Sequence, residues 1–189
     1  MQRNALGPSL GQCCGGALDL RYTPLQDADP AAWVASPPRF TLQLYGAGHV
    51  GRAIVRLLAD LPCKVSWIDE RESEFPSTPL PPHIERVCVE PVEAEVAVAA
   101  PGTCFLVLTH SHGIDLALTH AILSRGDFRW FGLIGSQTKR ARFERRLAER
   151  GLPTELSARM VCPIGVPGVL GKEPEVIALA VVTQLLMLD

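Results

Sequence analysis

The chain has 189 residues, with 18 Lys and Arg against 20 Asp and Glu and a formal net charge of −2. That balance supplies no basic field for nucleic acid. With 47% hydrophobic and 20% charged residues, it matches a soluble folded domain with a substantial core. No apolar run is long enough for a membrane span, and the polar start Met1, Gln2, Arg3, Asn4 lacks the apolar stretch of a secretory leader. A cytoplasmic protein with reduced thiols and no membrane contact is therefore expected.

The first 23 residues contain a Gly-Gln-Cys-Cys-Gly-Gly turn at 11–16, followed by an alternating apolar and polar stretch at 17–22 that reads as a single strand. One strand cannot stand alone, so its partner is expected in another chain, in the main domain or in a part not present here. An orphan of this kind favours a homo-oligomer. The Cys13-Cys14 turn has two equal readings. It is either a tight turn with incidental thiols, or a turn whose glycines expose thiolates for a soft metal or for sulfur transfer. Residues 24–38 carry Pro24, Pro30, Pro37 and Pro38 and read as a linker.

A strand is predicted over 40–45, leading into Gly46-Ala47-Gly48-His49-Val50-Gly51 and a helix over 49–60 with Val50, Ile54, Leu57 and Leu58 on its apolar face. A second strand at 63–68 closes at Asp69, and a proline-rich loop occupies 75–82. A short third strand follows at 84–89, then a weak helix or turn at 91–99. The apolar stretch 103–108 reads as a central strand of a parallel sheet. Beyond a loop at 109–113, a helix is expected over 115–123 and a fifth strand over 130–134. Ser136 caps a charged helix reaching to about residue 150. A sixth strand at 159–162, a Gly/Pro loop at 165–172 and a helix starting at Pro174 complete the chain. The alternation predicts a Rossmann-like, doubly wound parallel α/β sheet over 39–189.

Strand, G-x-G-x-x-G and helix stand in the order of a dinucleotide-binding unit. Gly46 permits the tight turn, Gly48 lets backbone approach a pyrophosphate, and Gly51 lets the helix pack near the strand. The N–H groups starting the helix, at His49 and Val50, then face phosphate. Asp69 lies 18 residues beyond Gly51, where a carboxylate can accept from a ribose 2′-hydroxyl. Arg71 beside it leaves NAD against NADP open. If the strands lie in the order third, second, first, fourth, fifth, the crevice opens beside the loop Thr109, His110, Ser111, His112. Two histidines make a poor metal site alone, so this loop reads as a polar wall against a ligand. Gly135 and Ser136 end the fifth strand on the same edge. Lys139 and Arg140 lie in the first turn of the next helix, where cations oppose the helix dipole, and this suggests an anion bound in the crevice. From the residues alone, an NAD(P)-dependent oxidoreductase and a nucleotide-sensing regulatory domain are both consistent, although no acid–base set beyond His110 and His112 stands out.

The segments LGPSLGQCCGGAL, LYGAGHVGRAIVRLLADLPCKVSWIDER, LTHSHGIDLALTHAILSRGDFRWFGLIGSQTKRARFERRL and CPIGVPGVLGKEPEVIALAV resemble the xanthine dehydrogenase accessory protein family (XdhC/CoxI type). The resemblance implies a non-enzymatic chaperone. Such a protein binds the molybdenum cofactor (molybdopterin), assists its sulfuration with a cysteine desulfurase, and aids its insertion into a xanthine dehydrogenase apoprotein. It places Cys13 and Cys14 at the molybdenum. It also implies a longer N-terminal domain, of which residues 1–23 are a remnant, so independent cofactor loading is not expected.

Overall fold

The computed structural model describes residues 2–5, 7, 16–27 and 37–188. Two compact units emerge, Met1–Ser36 and Pro37–Asp189. In the first, β1 (Gln2–Ala5) pairs antiparallel with β2 (Ala17–Leu20), with Gln2 opposite Leu20 and Ala5 opposite Ala17. The expectation of an orphan strand is thus corrected. Its partner is four residues at the start of the same chain, too short and polar to announce themselves as a strand. The stated reason for self-association goes with it. Cys13 and Cys14 lie outside the described residues.

The second unit is built on β3 (Thr41–Tyr45), α1 (His49–Leu58), β4 (Lys64–Asp69), β5 (Ile84–Cys88), α2 (Ala94–Val98), β6 (Cys104–Val107), α3 (His112–Arg125), β7 (Trp130–Leu133), α4 (Gln137–Glu149), α5 (Thr154–Ser157), β8 (Met160–Val161) and α6 (Pro174–Leu186). Its six strands are all parallel, in the order β5-β4-β3-β6-β7-β8. The doubly wound Rossmann-like α/β fold is therefore present, and chain order reverses between β3 and β6.

The centre of the sheet is buried on both faces, which is why β6 and β7 are buried at every position. Alternate side chains feed two cores. Leu42, Leu44, Val65, Trp67 and Leu106 pack with α1 and α6 on one face. Tyr45, Ile68, Phe105, Val107 and Phe131 pack with α3 and α4 on the other. One polar group is buried in β3: Gln43 Nε2 donates to Glu95 O at 2.9 Å, and its Oε1 accepts from the Tyr45 hydroxyl at 2.7 Å. Both ends of the amide are satisfied, so its burial carries no orphan penalty.

Several local expectations shift. Helix α3 begins at His112, three residues before the expected start, because Ser111 is its N-cap and accepts from Gly113 N at 3.2 Å and Ile114 N at 3.5 Å. Leu57, expected on the apolar face of α1, is 38% exposed, while Ala53 and Val55 are buried. Cys63, Cys104 and Cys162 are buried, but Cys88 is exposed, so it does not act as a core hydrophobe as the others do. Burial pushes the Cys63 and Cys104 thiols up to about 11. The crossover from β4 to β5 holds only a single turn at Glu72–Glu74 and the proline-rich loop in place of a helix. Phe75 from that loop meets the Trp67 ring edge-on at 5.1 Å.

Candidate functional site

The glycine turn sits at the carboxyl end of β3, beside the end of β6. Gly46 has φ +120, and a Cβ there would fall 2.4 Å from the Leu108 carbonyl oxygen, so both conformation and space demand glycine. A Cβ on Gly51 would fall 2.1 Å from Gly46 O, which is how α1 reaches the strand so closely. Gly48 differs, because a Cβ there meets nothing within 4 Å. Its glycine is not required by the protein's own packing.

Gly48 is the N-cap of α1, and no side chain caps this end. The first N–H groups of a helix have no intrahelical acceptor and carry the positive end of its dipole. In α3 and α4 serine hydroxyls meet that need, Ser111 in one and Ser136, which accepts from Lys139 N at 3.2 Å, in the other. In α1 the corresponding groups open onto a cleft of about 360 Å³ lined by Gly48, His49, Val50, Arg71, Glu74, Leu108, Thr109, His110 and Ile134.

Asp69 at the end of β4 is 4% exposed and faces inward. Its Oδ2 accepts from Ala47 N at 2.7 Å, and Oδ1 accepts from Arg71 N at 2.9 Å. The Arg71 guanidinium grips both oxygens, at 3.0 Å each. Burial alone drives this carboxyl pKa upward. The Arg71 side chain and the Ala47 and Arg71 N–H groups outweigh it and hold the group below the usual carboxylate value. Arg71 also reaches Glu74 at 3.6 Å, and Glu74 meets Arg52 at 3.4 Å. The chain of charges ties the glycine turn, the end of β4 and α1 together.

Thr109, His110 and Asp69 also meet at a recess of about 10 Å³ with Gly46, Glu70 and Ile114. His110 Nε2 lies 3.6 Å from Glu70 Oε1. Of the expected residues, Gly48, His49, Val50, Thr109 and His110 line the cleft, while Gly46 and Asp69 border the recess. Gly51 lies beneath the turn. Ser111 and Ser136 are used as helix caps, His112 is exposed in the first turn of α3, and Gly135 is exposed at the end of β7.

Lys139 has a different partner from the bound anion inferred for it. Its Nζ donates to Asp115 Oδ2 at 2.6 Å and to Ile134 O at 2.7 Å, and it is 9% exposed. A first-turn cation is explained here by a buried carboxylate of the protein itself. Arg140 pairs with Glu144 at 2.8 Å.

Glu74, Ile134 and Asp115 were not among the expected site residues, and Arg71, expected only to bear on the choice between NAD and NADP, is held by Asp69. Asp115 had one legible signal, a carboxylate within an otherwise apolar helical stretch, which needs a buried partner. Among the described residues no cluster of three or more His, Cys, Asp or Glu could hold a metal ion.

Comparison with known proteins adds identity to this geometry. The family model for the XdhC Rossmann domain matches residues 42–185. The uncharacterized protein YqeB of Escherichia coli (strain K12) is 29% identical over 187 residues, 98% of this chain, although the chain spans only 32% of that protein's length. A xanthine dehydrogenase crystal structure from Bacillus halodurans superposes with a TM-score of 0.65 at 23% identity, covering 80% of this chain and 43% of that one, and shows the shared fold. The matched residues run from β3 almost to the end of α6, and so this chain belongs to the XdhC Rossmann domain family.

Proposed function

We propose that this chain is an accessory protein of a xanthine dehydrogenase system, carrying the molybdenum cofactor and assisting its sulfuration and insertion into the apoprotein. Family membership favours the accessory role. The observation that carries a phosphate-bearing ligand is the uncapped start of α1 above an open cleft, where Gly48 leaves room that the protein itself does not fill. A pterin phosphate, or the pyrophosphate of a dinucleotide form, fits those N–H donors. Gly48, His49 and Val50 would hold it, and Thr109 and His110 would form the facing wall. The cofactor supplies the molybdenum chemistry when bound, and this chain's part is to grip the phosphate and screen the ligand from water. In this reading Cys13 and Cys14 serve the molybdenum end, a cysteine desulfurase is the sulfur source, and the complex works in the cytoplasm without turnover of its own.

A second reading, a nucleotide-sensing domain, rests on Asp69 and Arg71 at the end of β4, next to the glycine turn. Isothermal titration of the purified chain with isolated molybdenum cofactor, NADH and NADPH separates the two. The accessory reading expects cofactor binding that Gly48→Val abolishes while the circular dichroism melt is kept, since a side chain there enters only the cleft. Binding of nicotinamide nucleotide with turnover of any alcohol or aldehyde would overturn it in favour of an oxidoreductase. Serine at both Cys13 and Cys14 should weaken molybdenum retention and leave nucleotide binding unchanged.

A further inference from the structure

Asp115 and Lys139 form the most deeply buried ion pair among the described residues, with side chains 2% and 9% exposed and an N–O separation of 2.6 Å. Buried pairs of this kind contribute little net stability, because desolvation offsets the attraction. What the pair holds is more telling. Asp115 Oδ1 accepts from Thr109 N at 3.1 Å and from the Thr109 hydroxyl at 2.7 Å. Lys139 Nζ donates to Ile134 O at 2.7 Å. Thr109 is the second residue beyond β6 and Ile134 the first beyond β7, and both line the cleft that faces the start of α1. The pair therefore joins α3 and α4 and grips one cleft-wall residue with each of its two members.

We infer that Asp115 and Lys139 are positioning residues, which set the wall formed by Thr109, His110 and Ile134 at a fixed distance from the uncapped α1 terminus. This rests on the reading of that cleft as the ligand site. A neighbouring constraint points the same way. A Cβ on Gly135 would lie 2.6 Å from Lys139 Cδ, so glycine at that position makes room for the lysine stem to run back beneath the end of β7. The hydroxyl and N–H of Thr109 both turn inward to the carboxylate, so the backbone of residues 109–111 is aimed by Asp115 before any ligand arrives.

The test compares Lys139→Met with the double variant Lys139→Met/Asp115→Asn, using Ile84→Ala as a destabilised control distant from the cleft. The single variant leaves a buried carboxylate without its cation and should melt well below the parent. The double variant removes both charges, keeps an acceptor for Thr109, and should recover most of that loss while the tie to Ile134 stays broken. If the pair positions the wall, NADH affinity falls roughly tenfold, about 1.4 kcal/mol, in the double variant. Amide exchange at Ile134, whose N–H donates to Val107 O at 2.9 Å, should accelerate in the ligand-free protein. The control should lose stability without either change. A double variant with parental NADH affinity and parental Ile134 exchange overturns the inference. If the parent protein binds no NADH, the ligand-free exchange decides the positioning role alone, and the failed titration counts against the nucleotide-sensing reading instead.

Discussion

Gly48 and Gly51 belong to one motif and are glycine for unrelated reasons. At Gly51 an added Cβ would strike the Gly46 carbonyl oxygen at 2.1 Å, whereas at Gly48 it would enter open space. Gly51→Ala should therefore cost about 1–3 kcal/mol or more, as overpacking does, and Gly48→Ala should leave the urea midpoint close to the parent's. Equal losses at the two positions would refute the distinction. Asp69 yields a pH prediction. Its carboxyl pKa is held below the unfolded value, so its contribution is fully present above about pH 4, the ordinary aspartate range, and is lost as pH falls through the folded-state value. Asp69→Asn should accordingly destabilise at neutral pH by about 1–3 kcal/mol through weakened hydrogen bonds to buried donors. The gap between variant and parent should then close on acidification below that range, as followed by denaturant titrations across the acid limb. A gap that widens toward acid would contradict the sign.

Among the elements, three helices start at the carboxyl edge of the central strands, and they are capped differently. Helices α3 and α4 use Ser111 and Ser136, while α1 has only Gly48. Ser136→Ala should lower stability by about 1 kcal/mol, a cost typical of a lost N-cap, measurable by urea unfolding. Gly48→Ala at the α1 N-cap should show no comparable loss without ligand, because no side chain caps that end and a Cβ there meets nothing. Both serine caps stand three residues ahead of the residue that ends the first turn. Ser136 was legible from the sequence, and Ser111 was not, because the histidines around it read as a loop. Of the short elements, the sixth strand expected at 159–162 is present but shortened, and α5 escaped reading. A four-residue turn of helix such as α5 carries too little periodicity to detect, and β8 shrinks to Met160–Val161 as an edge strand paired on one side only.

At the scale of the molecule, both cores draw their residues, among the described ones, from position 40 onward. A fragment spanning residues 37–189 should therefore fold cooperatively with a thermal midpoint near that of the full chain, and calorimetry of the two would show it. A broad or absent transition in the fragment would mean that residues 1–36 contribute to the fold. The architecture was readable because its signals are local. Apolar runs mark strands buried on both faces, glycines mark the turn, and chain alternation with right-handed crossovers leaves few sheet orders to consider. The crevice followed from strand order. Its chemistry did not, and Lys139 illustrates why: a cation in a first turn announces that it needs an anion, but not which one.

The amino-acid sequence by itself determined the doubly wound sheet, the glycine turn with its helix, and the edge at which the cleft opens, because each depends on neighbours within a few residues. Only the tertiary structure decided which charges meet. Asp69 turns inward to Ala47 and Arg71, and Asp115 meets Lys139 across 24 positions of chain. Those pairings depend on how strands of different register bring distant ends together, where desolvation forces each buried charge to find a partner.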